Sequence, residues 1–187
     1  MESSSRNLAA VILAGGTAAR LGGADKASIE YAGRTFLEHA LAAVGATEEV
    51  VVVGDPVPTS RPVTFVREDP PLGGPVAGML AGRHALAGPA ATLVVLAVDM
   101  PLVTASTVGR LVAAASGRDG SVLRDEEGRR QLALVLHTSR LDAIAPADPH
   151  GHAVGDLLAP LDLADVAATD DEARGVDSWE DLRNLGR

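Results

Sequence analysis

The chain has 187 residues, of which 47% are hydrophobic and 22% charged, a composition that favours one globular domain. The formal net charge of -9 argues against nucleic acid or an anionic membrane as the main partner. The absence of cysteine excludes disulfides, thiolate nucleophiles and cysteine-based metal sites. We expect a single domain over residues 1–187 with a loose tail over residues 1–7. Because no stretch resembles a leader or a membrane span, we also expect a cytoplasmic protein.

The first 115 residues alternate predicted strands with predicted helices. Short apolar runs predict strands over residues 8–13, 50–53, 63–66 and 92–98. Capping residues and helical spacing predict helices over residues 35–44, 75–86 and 104–115. This alternation indicates an α/β fold of the three-layer, Rossmann-like kind, with a mostly parallel sheet and helices on both faces.

The rest of the chain is predicted to extend this sheet. Residues 122–124 and 131–137 flank a charged turn, which predicts an added antiparallel hairpin. Short helices are expected within residues 139–160, an edge strand over 166–169, and a closing helix over 178–185 that Ser178 caps. The acidic run over residues 170–172 is predicted to be a solvated face.

A glycine-rich loop follows the first predicted strand. Open α/β sheets bind ligands outside the carboxyl ends of their strands, and the pairs Gly15–Gly16 and Gly22–Gly23 let backbone N–H groups approach an anion. Arg20 and Lys26 add two cations. The loop matches neither the dinucleotide fingerprint nor the Walker A loop. The alternative interpretation is a tight turn with two solvated cations.

Lys26 is the only lysine in the chain, since the other 15 basic residues are arginines. A chain that uses arginine so consistently would be expected to use it for an ordinary surface charge. A compact, flexible cation at this position therefore indicates a function that the rigid guanidinium would not fill.

Two aspartates are candidate metal ligands. Asp99 directly follows the apolar strand that ends at residue 98, and Mg²⁺ typically takes one or two protein carboxylates. A turn or helix-capping function is the alternative for Asp99. Asp177 on its own is best explained as a charge at a helix amino end, and it gains interest only as a partner of Asp99.

Four segments of the chain, in order, carry motifs of a known enzyme family. Residues 13–26 resemble the L-A-G-G-x-x-x-R-M-G-x-x-D-K signature of sugar-nucleotide-type nucleotidyltransferases, with Leu21 in place of Met. Residues 69–78 resemble a G-P-L-A-G loop, residues 98–101 a C-D-M-P segment and residues 176–182 an N-x-N-T-P-E-D-L segment. Together these motifs resemble those of the molybdenum cofactor guanylyltransferases.

The resemblance implies a reaction and a set of site residues. GMP would be transferred from GTP to molybdopterin with Mg²⁺ as cofactor, releasing pyrophosphate and forming the guanine dinucleotide cofactor. The implied catalytic residues are Arg20, Lys26 and Asp99, and the implied metal ligands are Asp99 and Asp177. The implied nucleotide-binding residues are Leu13, Ala14, Gly15, Gly16, Lys26, Asp55, Asp69, Gly74, Pro75 and Asp99.

The resemblance also implies how the guanine base is recognised and which partners the protein has. The Gly74–Pro75 loop would recognise guanine, with Glu68 or Asp69 accepting hydrogen bonds from the base. GTP and molybdopterin would be the small-molecule partners, with transient contacts to the proteins that deliver or receive the cofactor.

The chain departs from the family pattern at several positions. Asp177 stands where Asn is common, Trp179 replaces Pro, and Arg130-Gln131-Leu132 replaces Gln-Pro-Leu. Candidates for contacting the pterin are Arg129, Arg130 and His152. The alternatives are a cytidylyltransferase, a nucleotidyltransferase with another phosphorylated acceptor, or a non-catalytic nucleotide-binding adaptor.

Overall fold

A computed structural model describes residues 7–16, 22–23 and 25–185 of the chain. The elements in chain order are β1 (Leu8–Leu13), β2 (Glu30–Tyr31), β3 (Arg34–Thr35), α1 (Phe36–Ala43), β4 (Glu49–Val53), β5 (Thr64–Val66), α2 (Gly74–His84), β6 (Thr92–Ala97), α3 (Ala105–Ala114), β7 (Gly120–Arg124), β8 (Arg130–His137), α4 (Thr138–Ile144), α5 (Val154–Leu158), β9 (Leu163–Ala167) and α6 (Trp179–Asn184). Short 3-10 helices cover Lys26–Ser28 and Asp170–Ala173.

Within the described residues, one sheet of seven strands has the order β5-β4-β1-β6-β8-β7-β9. Strand β8 pairs antiparallel with both β6 and β7, while every other pairing in this sheet is parallel. The predicted fold class, a mostly parallel sheet with an added antiparallel hairpin, is confirmed. The hairpin joins the sheet through its second strand, so β8 pairs with β6, and β7 lies on the far side of β8 from β6.

The central strands are apolar without alternation because both of their faces are covered. In β1, Ala10, Val11 and Ile12 are fully buried, and in β6 the same holds for Leu93, Val94 and Val95. Side chains from α1 and α3 pack on one face of the sheet, and side chains from α2, α4 and α5 pack on the other. The predicted layers of helices on both faces are therefore confirmed.

Helix starts follow the sequence signals closely. The Thr35, Thr104 and Ser178 side chains each accept a hydrogen bond from a backbone N–H in the first turn of α1, α3 and α6 respectively. Pro75 lies in the first turn of α2, where its missing N–H costs no helical hydrogen bond.

The structure differs from the sequence predictions at three places: two predicted segments change, and one short strand pair was not predicted. The edge strand lies at Leu163–Ala167 instead of 166–169, because its parallel register with β7 pairs Gly120 with Leu163. The short antiparallel pair β2–β3 was not predicted, since two-residue strands leave no periodicity to detect. The predicted loop over residues 14–27 ends in a 3-10 turn, which the Asp25 side chain caps by accepting from the Ala27 N–H.

At the amino end, the described part of the chain begins at residue 7. Residues 1–6, most of the predicted tail, lie outside the described residues, and the Asn7 carbonyl accepts hydrogen bonds from Ala91 and Thr92. In the part of the chain that the structure describes, every helix is too short or too polar to cross a bilayer.

Candidate active site

The carboxyl ends of β1, β4 and β6 meet at one edge of the sheet. The parallel register pairs Leu13 with Val53 on one side and with Ala97 on the other, so these three strands end level with one another. Strand β8 runs the opposite way, and its pairing of Ala133 with Leu96 brings the start of β8 to the same edge. This edge is where open α/β sheets place their ligands.

Lys26 and the two predicted metal ligands meet at this edge. The Lys26 ammonium lies 2.7 Å from Asp99 Oδ2 and 2.8 Å from Asp177 Oδ1. The Lys26 side chain is 13% exposed, Asp99 24% and Asp177 64%. Residues separated by 73 and 151 positions in sequence thus form one charge cluster.

Local structure fixes each member of this cluster. Lys26 opens the 3-10 turn, which buried Ala27 anchors in the core. Asp99 follows β6, and its carbonyl accepts a hydrogen bond from the Val176 N–H at 2.9 Å. Because Val176 is buried and precedes Asp177, this bond brings the second carboxylate to the end of β6.

The cluster holds the lysine in its charged form. Burial by itself lowers the pKa of Lys26, but hydrogen bonds to Asp177 and Asp99 and their negative charges outweigh it. The net result is a pKa above the ordinary value for lysine, so the ammonium is charged at neutral pH.

A cleft of about 360 Å³ opens beside this cluster, and because the sequence predicts nucleotide-binding residues along it we refer to it as the nucleotide cleft. Its lining residues come from strand ends, from the start of β8 and from the loop that leads into α2; they are Leu13, Gly15, Gly16, Val53, Glu68, Leu72, Gly74, Pro75, Gly78, Ala97, Asp99 and Leu132. Asp99 therefore belongs both to the cleft and to the charge cluster.

The amino end of α2 forms one wall of the cleft. Gly74 begins the helix with a φ of +87°, a backbone conformation that residues other than glycine rarely adopt. Gly78 lies one turn later, where an added Cβ would approach Leu13 Cδ2 to 3.3 Å. Small residues on this wall keep the space open for a ligand.

Four predicted nucleotide-binding residues lie outside the cleft lining, and one of them, Lys26, belongs to the charge cluster beside the cleft. Asp55 is exposed and forms an ion pair with Arg67, and Asp69 is exposed on the loop before α2. Ala14 is buried, and its N–H donates to the Val53 carbonyl at 2.9 Å. Arg20 lies outside the described residues.

Several lining residues were missed by sequence reasoning. Val53 and Ala97 lie at the carboxyl ends of predicted strands. Because the ends of parallel strands share one edge of the sheet, the sequence does contain a signal for these two. Leu132 carries no such signal, since its place in the cleft depends on the antiparallel insertion of β8 beside β6. Leu72, 66% exposed, has no local signal either.

A second, more charged cleft of about 660 Å³ is lined by the turn between β7 and β8, the start of β8 and residues 168–175, and we refer to it as the arginine cleft. Its charged lining residues are three arginines and five acids, and it also contains Gly175; the charged residues are Arg129, Arg130, Arg174, Asp125, Glu126, Glu127, Asp170 and Asp171. Arg130 is two residues from Leu132 of the nucleotide cleft, and Gly175 is two residues from Asp177. The third pterin candidate, His152, follows Gly151, whose N–H donates to the Gly73 carbonyl on the nucleotide side.

The residues present suit Mg²⁺. Asp99 and Asp177 converge on a single cationic group, which shows that both carboxylates can face one positive centre. Within the described ranges no cluster of three or more His, Cys, Asp or Glu side chains has metal-binding geometry. A two-carboxylate set is the kind that Mg²⁺ uses when substrate phosphates complete its coordination.

Comparison with known proteins agrees with the motifs. A family model described as a MobA-like NTP transferase domain matches residues 10–166. The molybdenum cofactor guanylyltransferase of Acidiphilium cryptum is 44% identical over 126 residues, which cover 62% of this chain and 64% of that protein. The enzyme of the same name from Mesorhizobium japonicum is 35% identical over 139 residues, 70% of this chain and 67% of that protein.

A solved structure shows the same fold. The molybdopterin-guanine dinucleotide biosynthesis protein A of Archaeoglobus fulgidus superposes with a TM-score of 0.72 over 94% of this chain and 95% of that chain, at 19% identity. The chain thus spans about two thirds of the length of its curated relatives and nearly all of a solved chain. With the family model covering most of its length, the chain belongs to the MobA-like NTP transferase family, as the motifs predicted.

Proposed function

We propose that this chain transfers GMP from GTP to molybdopterin in a Mg²⁺-dependent reaction that releases pyrophosphate and forms the guanine dinucleotide cofactor. The observation that carries the proposal is the meeting of Asp99 and Asp177 at the Lys26 ammonium beside the nucleotide cleft. The names of the curated relatives support the same reaction.

The reaction requires no nucleophile from the protein, because the attacking group is already an anion. An oxygen of the acceptor phosphate forms a bond to the α-phosphorus of GTP. The bond from that phosphorus to the oxygen bridging to the β-phosphate breaks, and pyrophosphate leaves with the electron pair. Catalysis is then positioning and charge neutralisation. In agreement, the described residues that line the cleft include no Ser, Cys or His.

Lys26 supplies positive charge to the triphosphate. Its flexible stem lets the ammonium pass from the two carboxylates to phosphate oxygens when GTP enters. A charge aimed at the leaving pyrophosphate acts where negative charge develops, which is the most effective place for it. Arg20 is proposed to add a second cation.

Asp99 and Asp177 would hold the divalent ion. When bound there, Mg²⁺ neutralises triphosphate charge and orients the phosphates. Asp99 is the better placed of the two, since it is less exposed and lines the cleft.

Base recognition is proposed at the wall formed by the Gly74–Pro75 loop. Guanine presents N–H donors that require an acceptor. Between the two candidate acids, the geometry favours Glu68, which lines the cleft and whose carboxylate accepts from the Leu72 N–H at 3.1 Å. Asp69 is exposed beside it.

The arginine cleft is proposed to hold the acceptor. Arg130 and Gly175 of this cleft are two residues in sequence from Leu132 of the nucleotide cleft and from Asp177, respectively, which supports an acceptor site near the proposed metal ligands. Arg129 is paired with Asp125 and Glu127, and Arg130 with Asp165, so an acceptor phosphate would replace these carboxylates. Guanidinium groups suit an anionic phosphate ester, which favours Arg129 and Arg130 over His152 as acceptor contacts. The proposed location is the cytoplasm, with transient contacts to the proteins that deliver or receive the cofactor.

The test is pyrophosphate release from purified protein with molybdopterin, Mg²⁺ and each of GTP, CTP, ATP and UTP in turn. We expect release with GTP alone. Release with CTP in its place would contradict the base assignment. Nucleotide binding without release from folded protein would favour the adaptor alternative.

A further inference from the structure

Glu172 is a buried carboxylate with a complete set of partners. It is 9% exposed, although it belongs to the acidic run that the sequence predicted to be solvated. Its Oε2 accepts from the Thr107 hydroxyl at 2.6 Å, its Oε1 accepts from the Thr169 N–H at 2.7 Å, and it forms an ion pair with Arg110. Three separate donors therefore fix one side chain.

These contacts fasten the segment over residues 168–178 to the body of the protein. Thr107 and Arg110 belong to α3, so the segment is joined to a helix packed on the sheet. Arg110 also donates to the Ala167 carbonyl at 2.9 Å, which fixes the point where β9 ends and the segment begins.

The far end of the segment reaches the active site. Four residues after Glu172, buried Val176 donates its N–H to the Asp99 carbonyl at 2.9 Å, and Asp177 follows it. The Asp177 side chain is 64% exposed and extends from a stretch that belongs to no strand of the sheet. Its position therefore depends on how firmly the segment is held on either side of it.

We propose that Glu172 is a positioning residue, which acts through this segment to hold Asp177 opposite Asp99. The inference rests on the metal-binding assignment in the proposed function. Burying a carboxylate costs free energy, and hydrogen bonds to all of its oxygens offset that cost. A carboxylate held in this way has a defined position, and so does the segment that leads from it to Asp177.

The test compares Glu172→Gln with the wild type and with a control. The substitution keeps the shape of the side chain and removes its charge. Asp142→Asn is the control, because it removes a surface ion pair with Arg83 that lies away from the segment. Each protein is titrated with Mg²⁺ in the presence of GTP alone, and the emission of Trp179 is followed. Trp179 is the only tryptophan, is 45% exposed and lies two residues after Asp177.

We expect Glu172→Gln to raise the half-saturating Mg²⁺ concentration about tenfold, equivalent to about 1.4 kcal/mol. Pyrophosphate release at saturating Mg²⁺ should recover to within about twofold of the wild type, as expected for lost metal affinity. Amide exchange at Val176 should quicken. Asp142→Asn should change none of these quantities.

An unchanged half-saturating concentration and unchanged exchange at Val176 in folded Glu172→Gln would overturn the proposal. Asp177→Asn, measured alongside, separates this failure from a failure of the metal assignment. If Asp177→Asn leaves the Mg²⁺ titration unchanged, the metal assignment is wrong. If Asp177→Asn shifts the titration and Glu172→Gln does not, only the positioning proposal falls. Should Glu172→Gln fail to fold, Arg110→Gln replaces it, with the same expectation and the same contradicting result.

Discussion

The Lys26 ammonium has two carboxylate partners in this structure, and in the proposed reaction it exchanges them for phosphate oxygens of GTP. The two carboxylates keep the Lys26 ammonium in its charged form. Under the proposed function, Asp99 and Asp177 would hold Mg²⁺ when it is bound, and the Lys26 ammonium would then be free to contact the phosphates of GTP.

Removal of this charge should stop catalysis without unfolding the protein. We expect Lys26→Met to lower kcat by about 10²- to 10³-fold, the loss typical of a group that neutralises transition-state charge. Lys26→Arg should recover only part of the rate, because a guanidinium is bulkier and less adaptable. Steady-state pyrophosphate release gives the rates, and circular dichroism checks the fold. Near-normal turnover of Lys26→Met would refute its assigned function.

The two aspartates should differ in their contribution to metal use. Asp99 lines the cleft and Asp177 is largely exposed, so Asp99→Asn should abolish activity at any Mg²⁺ concentration. Asp177→Asn should retain activity at high Mg²⁺, because Asp177 is the more exposed of the two proposed ligands and Asp99 would still hold the ion in the cleft. Rate against Mg²⁺ concentration distinguishes them, and equal losses for both variants would contradict the difference.

Lys26 and Asp99, which the structure brings together, each carry a local signal in the sequence, although their proposed functions stay predictions. One is the only lysine of an arginine-rich chain, and the other lies two residues after the end of a buried strand. Asp177 carried no such signal and came only from the family motif. The prediction that Glu172 is solvated was wrong. It rested on the acidic neighbours Asp170 and Asp171, whereas the burial of Glu172 depends on tertiary contacts with α3.

At the scale of elements, close packing of α2 on β1 sets the shape of the nucleotide cleft. Gly82 lies against the sheet, where an added Cβ would come within 2.5 Å of Val11 Cγ1. The first turn of the same helix forms the cleft wall. A shift of α2 would therefore move Gly74 and Pro75 relative to Asp99.

Two glycine-to-alanine substitutions test this packing. Gly82→Ala should destabilise the fold by about 1–3 kcal/mol, the usual cost of overpacking, and raise the KM for GTP. Gly109→Ala is the matched control in α3, where an added Cβ meets nothing within 4 Å. It should stabilise by about 0.5–1 kcal/mol through helix propensity. Urea unfolding gives both values, and equal effects of the two substitutions would contradict the packing argument.

Most elements could be predicted because their signals are local. The caps at Thr35, Thr104 and Ser178 and the apolar runs of β1 and β6 need no tertiary information. The position of β8 between β6 and β7 could not be predicted, since a hairpin can join a sheet through either strand. That choice places Leu132 in one cleft and Arg130 in the other.

At the scale of the molecule, several carboxylates are held below their ordinary pKa values and make the fold sensitive to acid. For Glu172, burial raises the pKa, but bonds from Thr107 and Arg110 outweigh it and the net shift is downward. The bond with Arg140 chiefly lowers the pKa of Asp119, and the bond with Ser178 chiefly lowers that of Asp181. A carboxylate with a lowered folded pKa stabilises the protein above its unfolded pKa, and that contribution is lost as pH falls through the folded value.

Stability should therefore fall as pH drops below the ordinary glutamate value of about 4.3. Glu172→Gln should be less stable than the wild type at pH 7, and the difference should shrink toward pH 3. The melting temperature measured from pH 3 to pH 7 checks this, with Asp142→Asn as control. A stability difference that stays constant across the range would contradict the shifted pKa of Glu172.

The most direct measurement of the central claim follows labelled phosphorus from GTP. Wild-type protein and Asp99→Asn are each incubated with molybdopterin, Mg²⁺ and GTP labelled at the α or the γ position. We predict that α-label appears in the pterin product and γ-label in pyrophosphate, and that neither transfer occurs with Asp99→Asn. Retention of α-label in GTP by folded wild-type protein, or transfer undiminished in the variant, would contradict guanylyl transfer at this site.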